Sequence, residues 1–470
     1  MKKLFALKEH GTDVRTEIMA GITTFMAMSY ILMVQPGMFS ELGVVSYGAI
    51  YIATALSAVV GTVLIGLLAN LPLAQASGMG INAFFVYTIC FGFGFTYANA
   101  LVFVLIDGII FILLTVTGLR RLIFDAIPDI VRKSIPAGIG LFIAFLGLQD
   151  SGIIINDPAT CVGLASLNFL GDTTWGNVMP LFITFATVIC ITVLSKKKVK
   201  GAVLFSIIGG TVVYYLLGFT VPGFYKDFFA NVSLNPIDAF RDFGSQAFGK
   251  VITEGFDFSQ YLAGEGHTKG SLVIAFATSS LAFCMVDMFD TMGTLYGACR
   301  GGNMMIKNEK GEDVIPNMDR AMLADAIATC TGAVCGTSTV TTFVEASAGV
   351  AVGGRTGLSA MVTAGVFLAA TFLSPLAALV PACAYAAALI YVGILMMSCV
   401  KDINWEDPVI ALPSFLTLAM IPFSYNISYG IAFGLISYVI LKVFTGKIKE
   451  INPGTWVITI LFAAMFFFTH

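Results

Sequence analysis

Four carboxyl side chains interrupt long apolar stretches of this sequence, and they are the residues best suited to do chemistry. Asp287 and Asp290 are three residues apart, which puts both on one face of a helix, while Glu345 and Asp107 lie in other apolar stretches. No Lys or Arg stands beside them there. A buried carboxyl without a cation can exchange a proton or accept N–H groups from a ligand. A structural hydrogen bond is the competing interpretation for each acid, and the preferred one for Asp107.

Polar and aromatic side chains occur where they could reach the same ligand. Asn82 follows Gly80 in one interrupted apolar stretch, Thr341 and Thr342 precede Glu345 in another, and Phe25 lies in a third. An aromatic ring stacked on a flat solute, together with carboxylates that accept its N–H groups, would suit a nucleobase. Ordinary packing is the preferred interpretation of Phe25, so a planar, uncharged, N–H-rich ligand is plausible on these residues alone.

Other kinds of chemistry find little support in the sequence. The three His are scattered, the nine Cys form no C-x-x-C pair, and no nucleophile–His–acid set lies in the apolar stretches. We therefore expect no metal, no cofactor and no enzymatic activity. The net charge of −3 gives no reason to expect nucleic acid as a partner.

The elements that position these residues are predicted to be membrane-spanning helices. Of the 470 residues, 57% are hydrophobic and 11% are charged, against about 25% charged in soluble domains. A span needs about 20 apolar residues. The predicted spans lie near 17–38, 47–69, 75–93, 97–119, 134–150, 177–195, 200–219, 271–298, 320–335, 338–353, 357–379, 382–399, 407–422 and 426–444. The last apolar run, 456–468, is left open as a crossing, a re-entrant or a packed segment.

The Lys and Arg of the loops predict a cytoplasmic N-terminus, because positive residues accumulate on the cytoplasmic side. The 151–176 loop has neither residue, as an external loop should. The positive residues fall in the even-numbered connections: Arg120, Arg121, Arg132, Lys133; Lys196, Lys197, Lys198, Lys200; Arg300, Lys307, Lys310, Arg320; Lys401; Lys442, Lys447, Lys449.

Two sets of seven spans predict an inverted repeat, because an odd number starts the second set on the opposite face. The third span of each set opens with small, polar or β-branched residues, at 73–85 and 336–349. Such openings favour short extended segments that run into half-helices. Extended backbone survives at membrane depth only if it pairs or lines a cavity, so we expect the two stretches to pair as short antiparallel strands. Two glycine-rich packing helices are the alternative.

Four sequence motifs follow one another along the chain, at 25–32, 78–85, 287–294 and 341–349. In this order they resemble the motifs of the nucleobase–cation symporters, a family with the nucleobase–ascorbate transporter fold, and most closely those of their adenine–guanine–hypoxanthine permease branch. The resemblance spans nearly the whole chain.

This resemblance implies proton-coupled purine uptake by a homodimer in the plasma (inner) membrane. It implies a core domain (1–127 and 270–380), a gate domain (128–220 and 381–470) and an external loop (221–269). It places substrate-binding groups at Asp290, Glu345 and Asn82, beside Phe25, Gly80, Thr341 and Thr342, and proton coupling at Asp287 or Glu345.

The chain also departs from the pattern of the family that it resembles. The uracil and xanthine branches carry Glu where this chain has Asp290, and the uracil branch has no acid at the place of Asp287. An anion exchanger or channel on the same fold is the runner-up, since fold alone does not fix the substrate. Buried acids and the lack of a basic residue in their place oppose it. A membrane enzyme is the third and weakest reading.

Overall fold

The computed structural model describes residues 5–118, 126–168, 173–222, 224, 235–264, 268–307 and 313–468, and it is predominantly helical. Arg120, Arg121 and Lys310 of the orientation argument lie outside these ranges. The elements up to residue 218 are α1 Val14–Met28, α2 Ile31–Ser40, α3 Tyr47–Leu68, β1 Gln75–Ser77, α4 Met79–Ala83 continued by the π-helix Phe84–Gly92, α5 Tyr97–Thr117, α6 Asp129–Asp150, β2 Ile154–Asp157, β3 Cys161–Leu164, α7 Trp175–Lys196 and α8 Ala202–Gly218.

Short helices fill the predicted external loop, and longer ones follow. The loop contains α9 Pro236–Asp242, the π-helix Phe243–Ala247, α10 Lys250–Thr253 and α11 Ser259–Leu262. Then come α12 Lys269–Gly301, β4 Ile306–Lys307, β5 Asp313–Val314, α13 Met318–Cys335, β6 Val340–Thr342, the 3-10 turn Val344–Ala346, α14 Ser347–Val352, α15 Gly357–Ala370, the 3-10 turn Thr371–Leu373, α16 Ser374–Ala377, α17 Ala382–Met396, the 3-10 segment Met397–Asp402, α18 Pro408–Phe423, α19 Ile427–Phe444, the 3-10 turn Ile448–Glu450 and α20 Pro453–Phe468.

Local sequence signals explain where several long helices begin and end. Thr96 and Thr268 each accept a hydrogen bond from the backbone N–H three residues on, and so cap α5 and α12. Gly118 ends α5 in the left-handed region, at φ 72°, which glycine adopts without a steric penalty. The apolar runs between such caps form the helices.

Nine helices in the described part of the chain are long and apolar enough to cross a membrane. Four shorter apolar helices accompany them, at Met79–Gly92, Ala202–Gly218, Pro408–Phe423 and Pro453–Phe467. A multi-pass membrane protein is therefore confirmed, while the count of fourteen and the inverted repeat stay predictions. The last apolar run forms α20, which packs against α12 and α19.

The helices pack as two groups. In the first helix group, α3 packs against α13 and α15, and α5 packs against α12 and α13. This group also includes β1, β6 and the segments that directly follow them, α4 and the 3-10 turn with α14. In the second, α6 packs against α17 and α18, and α18 packs against α19. Neither group is continuous in sequence, because each combines helices from both ends of the chain.

The two short strands β1 and β6 pair with each other, which confirms the predicted antiparallel pairing. Gln75 lies opposite Thr342, and Ser77 lies opposite Val340. The pair is fully buried within the first helix group. Helix α3 approaches it at Gly61, where an added Cβ would lie 2.9 Å from both Gln75 Oε1 and Val340 Cγ1. A glycine permits this close approach of helix and strands.

Candidate functional site

A cavity of about 350 Å³ lies where the two strands run into their helices. Its volume is at the lower end of the range for small-molecule sites, roughly 300–1,000 Å³. The first helix group contributes Gly78 and Gly80 at the start of α4, Asp290 on α12, and Glu345 in the turn after β6. The strand pairing therefore brings together residues that are far apart in sequence.

Helix α4 presents its N-terminus to this cavity. Gly78 precedes the helix with extended backbone (φ −66°, ψ 128°) and has no side chain with which to cap it. The first N–H groups of a helix lack intrahelical acceptors, and the helix dipole makes this end positive. The start of α4 is thus suited to donate hydrogen bonds to a carbonyl oxygen of a ligand.

Glu345 and Asp290 bring two carboxyl groups to the same cavity. The Tyr30 hydroxyl donates a 2.6 Å hydrogen bond to Glu345 Oε1 and holds that side chain in the first turn after β6. Both acids are half-buried, so part of each faces the cavity. Among the described residues that line the cavity, none is Lys or Arg. Two acceptors without a cation match a neutral ligand rich in N–H groups better than an anion.

Not every predicted ligand residue faces this cavity. Gly80 and Thr342 line it, whereas Asn82 and Thr341 are buried, Asn82 in α4 and Thr341 within β6. Asn82 Oδ1 accepts hydrogen bonds from Ser77, at 2.6 Å, and from Ser338. The amide thus joins β1 to the segment before β6. Thr341 Oγ1 lies 2.6 Å from Thr291 Oγ1.

Phe25 is not among the cavity-lining residues either. Its ring meets that of Phe367 edge-to-face, at 4.9 Å between centroids. This contact belongs to the packing of α1 against α15. A role for Phe25 in binding stays a prediction.

Asp287 and Asp107 lie outside the cavity lining, and both are fully buried. Thr329 Oγ1 donates to Asp287 Oδ2 over 3.4 Å, and Thr339 Oγ1 donates to Asp107 Oδ2 over 3.1 Å. Within the described ranges, the second oxygen of each carboxyl has no hydrogen-bond partner. Buried acids held by one donor can take up a proton at little cost in hydrogen bonds.

Asp325 is a buried acid that the sequence reasoning missed. It lies on α13, and its carboxylate accepts hydrogen bonds from Gln75, Thr291 and Thr342. The signal was present, because Asp325 falls inside the predicted 320–335 span and meets the same criterion as the other acids. In the part of the chain that the structure covers, no three His, Cys, Asp or Glu side chains group as a metal site would require.

The second helix group lines the other side of the cavity. Pro136 of α6, Met396 of α17, and Cys399 just beyond α17 line the same cavity as the two acids. Pro136 and Cys399 lie close in sequence to Lys133 and Lys401, which are predicted to be cytoplasmic.

Toward the predicted external side, the two helix groups meet in a layer of aromatic rings formed by Tyr87, Phe142 and Tyr425. The Phe142 and Tyr425 centroids are 5.6 Å apart, and Tyr87 lies 6.3 Å from Phe142. Thr88 Oγ1 adds a 2.9 Å hydrogen bond to the Tyr425 carbonyl. This aromatic layer joins the π-helix after α4 to the second group.

The Tyr87 hydroxyl also lies 3.0 Å from both carboxyl oxygens of Glu41, in the loop after α2. Desolvation raises the pKa of the Glu41 carboxyl, and the hydrogen bond from Tyr87 acts in the opposite direction. An acid thus lies beside the aromatic layer.

A family model described as Permease family (Xan_ur_permease) matches residues 15–433. The adenine permease AdeP of Escherichia coli (strain K12) is 36% identical over 462 residues, which cover 98% of this chain and 95% of that protein. The guanine/hypoxanthine permease PbuG of Bacillus subtilis (strain 168) is 37% identical over 478 residues, which cover 100% of both.

Among solved structures, the transmembrane domain of the bicarbonate transporter BicA of a cyanobacterium has a similar fold. It superposes with a TM-score of 0.55 at 15% identity, over 95% of this chain and 97% of that chain. At this identity the likeness concerns the fold alone.

Proposed function

We propose that this chain, which belongs to the xanthine/uracil permease family, carries purine nucleobases across the membrane. Membership of the family confirms the resemblance inferred from the sequence motifs, and it makes the chain a transporter rather than an enzyme. The names of the relatives support a nucleobase as the substrate. Guanine, hypoxanthine and adenine all remain within the proposal.

The observation that carries this proposal is the pair of carboxyls, Asp290 and Glu345, in one cavity with the N-terminus of α4. A purine presents ring and exocyclic N–H groups, and the carboxylates would accept hydrogen bonds from them. A carbonyl or ring nitrogen of the base would accept from the N–H groups at Met79 and Gly80. Each hydrogen bond from the base to a carboxylate is charge-assisted and contributes about 1.5–3 kcal/mol. We assign Asn82 and Thr341 to holding the strands, and Thr342 to the cavity wall.

Proton coupling is the second part of the proposal. Glu345 contacts the cavity and is held by Tyr30, so a proton on Glu345 would change how the site binds a base. Asp287, on the same helix as Asp290, has an oxygen without a partner in the described residues and offers a second place for a proton. The proton would move down its gradient together with the base.

Movement between the two helix groups would provide alternating access. We assign 1–127 and 270–380 to a core domain that holds the base, and 128–220 and 381–470 to a gate domain. Closure at the aromatic layer, with Pro136 and Cys399 at the cavity wall, supports an inward-facing state. A plasma-membrane location, a cytoplasmic N-terminus and a homodimer are part of the same proposal.

Uptake of labelled hypoxanthine, guanine and adenine into cells that lack their own purine uptake tests the function. We expect saturable uptake that unlabelled bases compete for and that a proton uncoupler abolishes. Glu345→Gln should lose proton-driven accumulation, whereas the exposed Glu406→Gln should behave as wild type. Full proton-coupled accumulation by Glu345→Gln would show that Glu345 does not carry the proton. No saturable uptake of any purine by the wild type would refute the function.

Anion transport on the same fold has one observation in its favour, the likeness to BicA. The cavity opposes it, because two carboxyls would repel an anion and no described residue of the lining is basic. Bicarbonate or chloride should therefore neither compete with purine uptake nor be carried. Chloride-dependent flux that is insensitive to purines would reverse this assignment.

A further inference from the structure

Asp325 holds three elements of the site together without lining the cavity. Its Oδ1 accepts from Gln75 Nε2 at 2.8 Å and from Thr342 Oγ1 at 3.3 Å, and its Oδ2 accepts from Thr291 Oγ1 at 2.7 Å. Gln75 belongs to β1, Thr342 to β6 and Thr291 to α12. One carboxylate on α13 therefore contacts both strands and the helix that carries Asp290.

The partners of Asp325 are close in sequence to the groups that face the ligand. Thr291 follows Asp290 directly, Thr342 is three residues before Glu345, and Gln75 is three residues before Gly78. Strands and a helix turn transmit displacements over such short separations. A shift of the Asp325 side chain would therefore displace both acids and the start of α4.

The hydrogen bonds fix the direction of the donors. All three partners donate to Asp325, and Thr291 Oγ1 is also 2.6 Å from Thr341 Oγ1. Because Thr291 uses its proton toward Asp325, Thr341 must donate to Thr291. The chain of donors runs from β6 through α12 to α13, and such chains strengthen one another inside a protein.

We propose that Asp325 is a positioning residue that holds Asp290, Glu345 and the N-terminus of α4 in one binding geometry. The proposal rests on the function proposed above, but it assigns Asp325 no contact with the base and no transported proton. The charge of Asp325 is dispensable as long as its hydrogen bonds are kept.

Asparagine can keep all three contacts, with the hydrogen bond to Thr291 reversed in direction. With its carbonyl oxygen toward Gln75 and Thr342, its amide N–H would donate to Thr291, which can accept and donate onward to Thr341. Asp325→Asn should therefore bind purine within about threefold of wild type.

Asp325→Ala leaves buried donors without an acceptor, and should weaken binding at least about tenfold. Thr291→Val removes the hydroxyl that bonds to both Asp325 and Thr341, and should give an intermediate loss. Thr331→Val is the control, because among the described residues the Thr331 hydroxyl bonds to the Ile327 carbonyl of its own helix.

Two measurements on detergent-purified protein test this: equilibrium binding of labelled hypoxanthine, guanine and adenine, and hydrogen exchange of peptides covering 75–80 and 340–346. We expect Asp325→Ala to raise exchange in both segments and weaken binding, and Asp325→Asn to change neither by much. A residue that merely supported the fold would lower the melting temperature of Asp325→Ala and leave the affinity of the folded fraction unchanged, which would overturn the proposal.

Loss of proton-driven accumulation in Asp325→Asn with binding intact would also overturn the proposal, because the charge would then be needed. If the wild type bound no purine, the proposed function would fail by itself. The exchange of the two segments would still decide whether Asp325 holds them, since that readout needs no ligand.

Discussion

The two strand–helix junctions enter the same cavity but are built differently. The first junction (75–92) continues for fourteen residues as α4 and its π-helix and contains no acid. The second junction (337–352) turns through a single 3-10 turn into the six-residue α14, and its first turn carries Glu345. The first junction thus offers backbone donors to a ligand, and the second offers a charge.

The junctions are also held in place by different forces. Aromatic packing dominates at the first, where Phe85 stacks on Phe39 at 4.9 Å and Phe84 meets Phe283 at 4.7 Å. Hydroxyl groups hold the second, since Thr337, Thr339, Thr341 and Thr342 bond to Gln35, Asp107, Thr291 and Asp325 respectively. The first junction should be sensitive to changes of volume, and the second to the loss of polar atoms.

Removing the charge of the second junction should have the largest effect. Glu345→Ala deletes a carboxyl that faces the cavity and leaves the Tyr30 hydroxyl without its acceptor. The loss of one hydrogen bond between the base and a charged carboxylate, together with the loss of the Tyr30 contact that positions it, should weaken apparent purine affinity roughly 100-fold. Equilibrium binding of labelled hypoxanthine to detergent-purified protein measures this loss, with Glu406→Gln as the surface control. An affinity within threefold of wild type would mean that the two junctions do not divide their roles as described.

Adding volume to the first junction should have the next largest effect. A Cβ at Gly80 would lie 2.5 Å from Ile139 Cγ2 of α6, at the boundary between the two helix groups. Gly80→Val should lower the rate of uptake about tenfold, because overpacking of this kind costs about 1–3 kcal/mol. The variant should still reach the membrane at wild-type abundance.

The partner substitution provides the control for Gly80. Ile139→Ala removes the atoms that the new side chain would meet, so the double variant Gly80→Val with Ile139→Ala should recover part of the rate. Equal loss in the single and double variants would place the effect inside the cavity rather than between α4 and α6.

Removing one hydroxyl from the second junction should reduce stability rather than affinity. Thr339→Val deletes the donor to Asp107 Oδ2, whose other oxygen already has no partner in the described residues. A buried polar interaction in a membrane protein contributes about 1 kcal/mol. The melting temperature in detergent should fall, with purine affinity nearly unchanged, while Thr331→Val stays close to wild type. A large loss of affinity would instead give Asp107 a role in binding.

Composition and local propensity sufficed to predict the strand pair. The openings at 73–85 and 336–349 are poor helix formers, and extended backbone inside a membrane must pair. That reasoning placed Asp290 and Glu345 near each other, and the cavity contains both. The direction in which an individual side chain points could not be predicted in the same way. Asn82 follows Gly80 by two residues, yet its amide bonds to Ser77 and Ser338. Residues two apart in a helix point to different sides, so they need not face the same cavity.

The smallest expected effect concerns Glu41, beside the π-helix of the first junction. Because desolvation raises the pKa of this carboxyl, its neutral form is favoured in the folded protein. Its contribution to stability is present in full below the pKa of the unfolded chain, about 4.3, and is lost as the pH rises through the higher folded value. Glu41→Gln, which keeps a neutral side chain near Tyr87, should flatten the decline of melting temperature from about pH 4 upward. Glu41 is not among the residues that line the cavity, so purine affinity should not change. An unaltered pH profile in Glu41→Gln would mean that this acid does not contribute to the stability of the aromatic layer. Ring packing and the Thr88 hydrogen bond would then hold the first junction there.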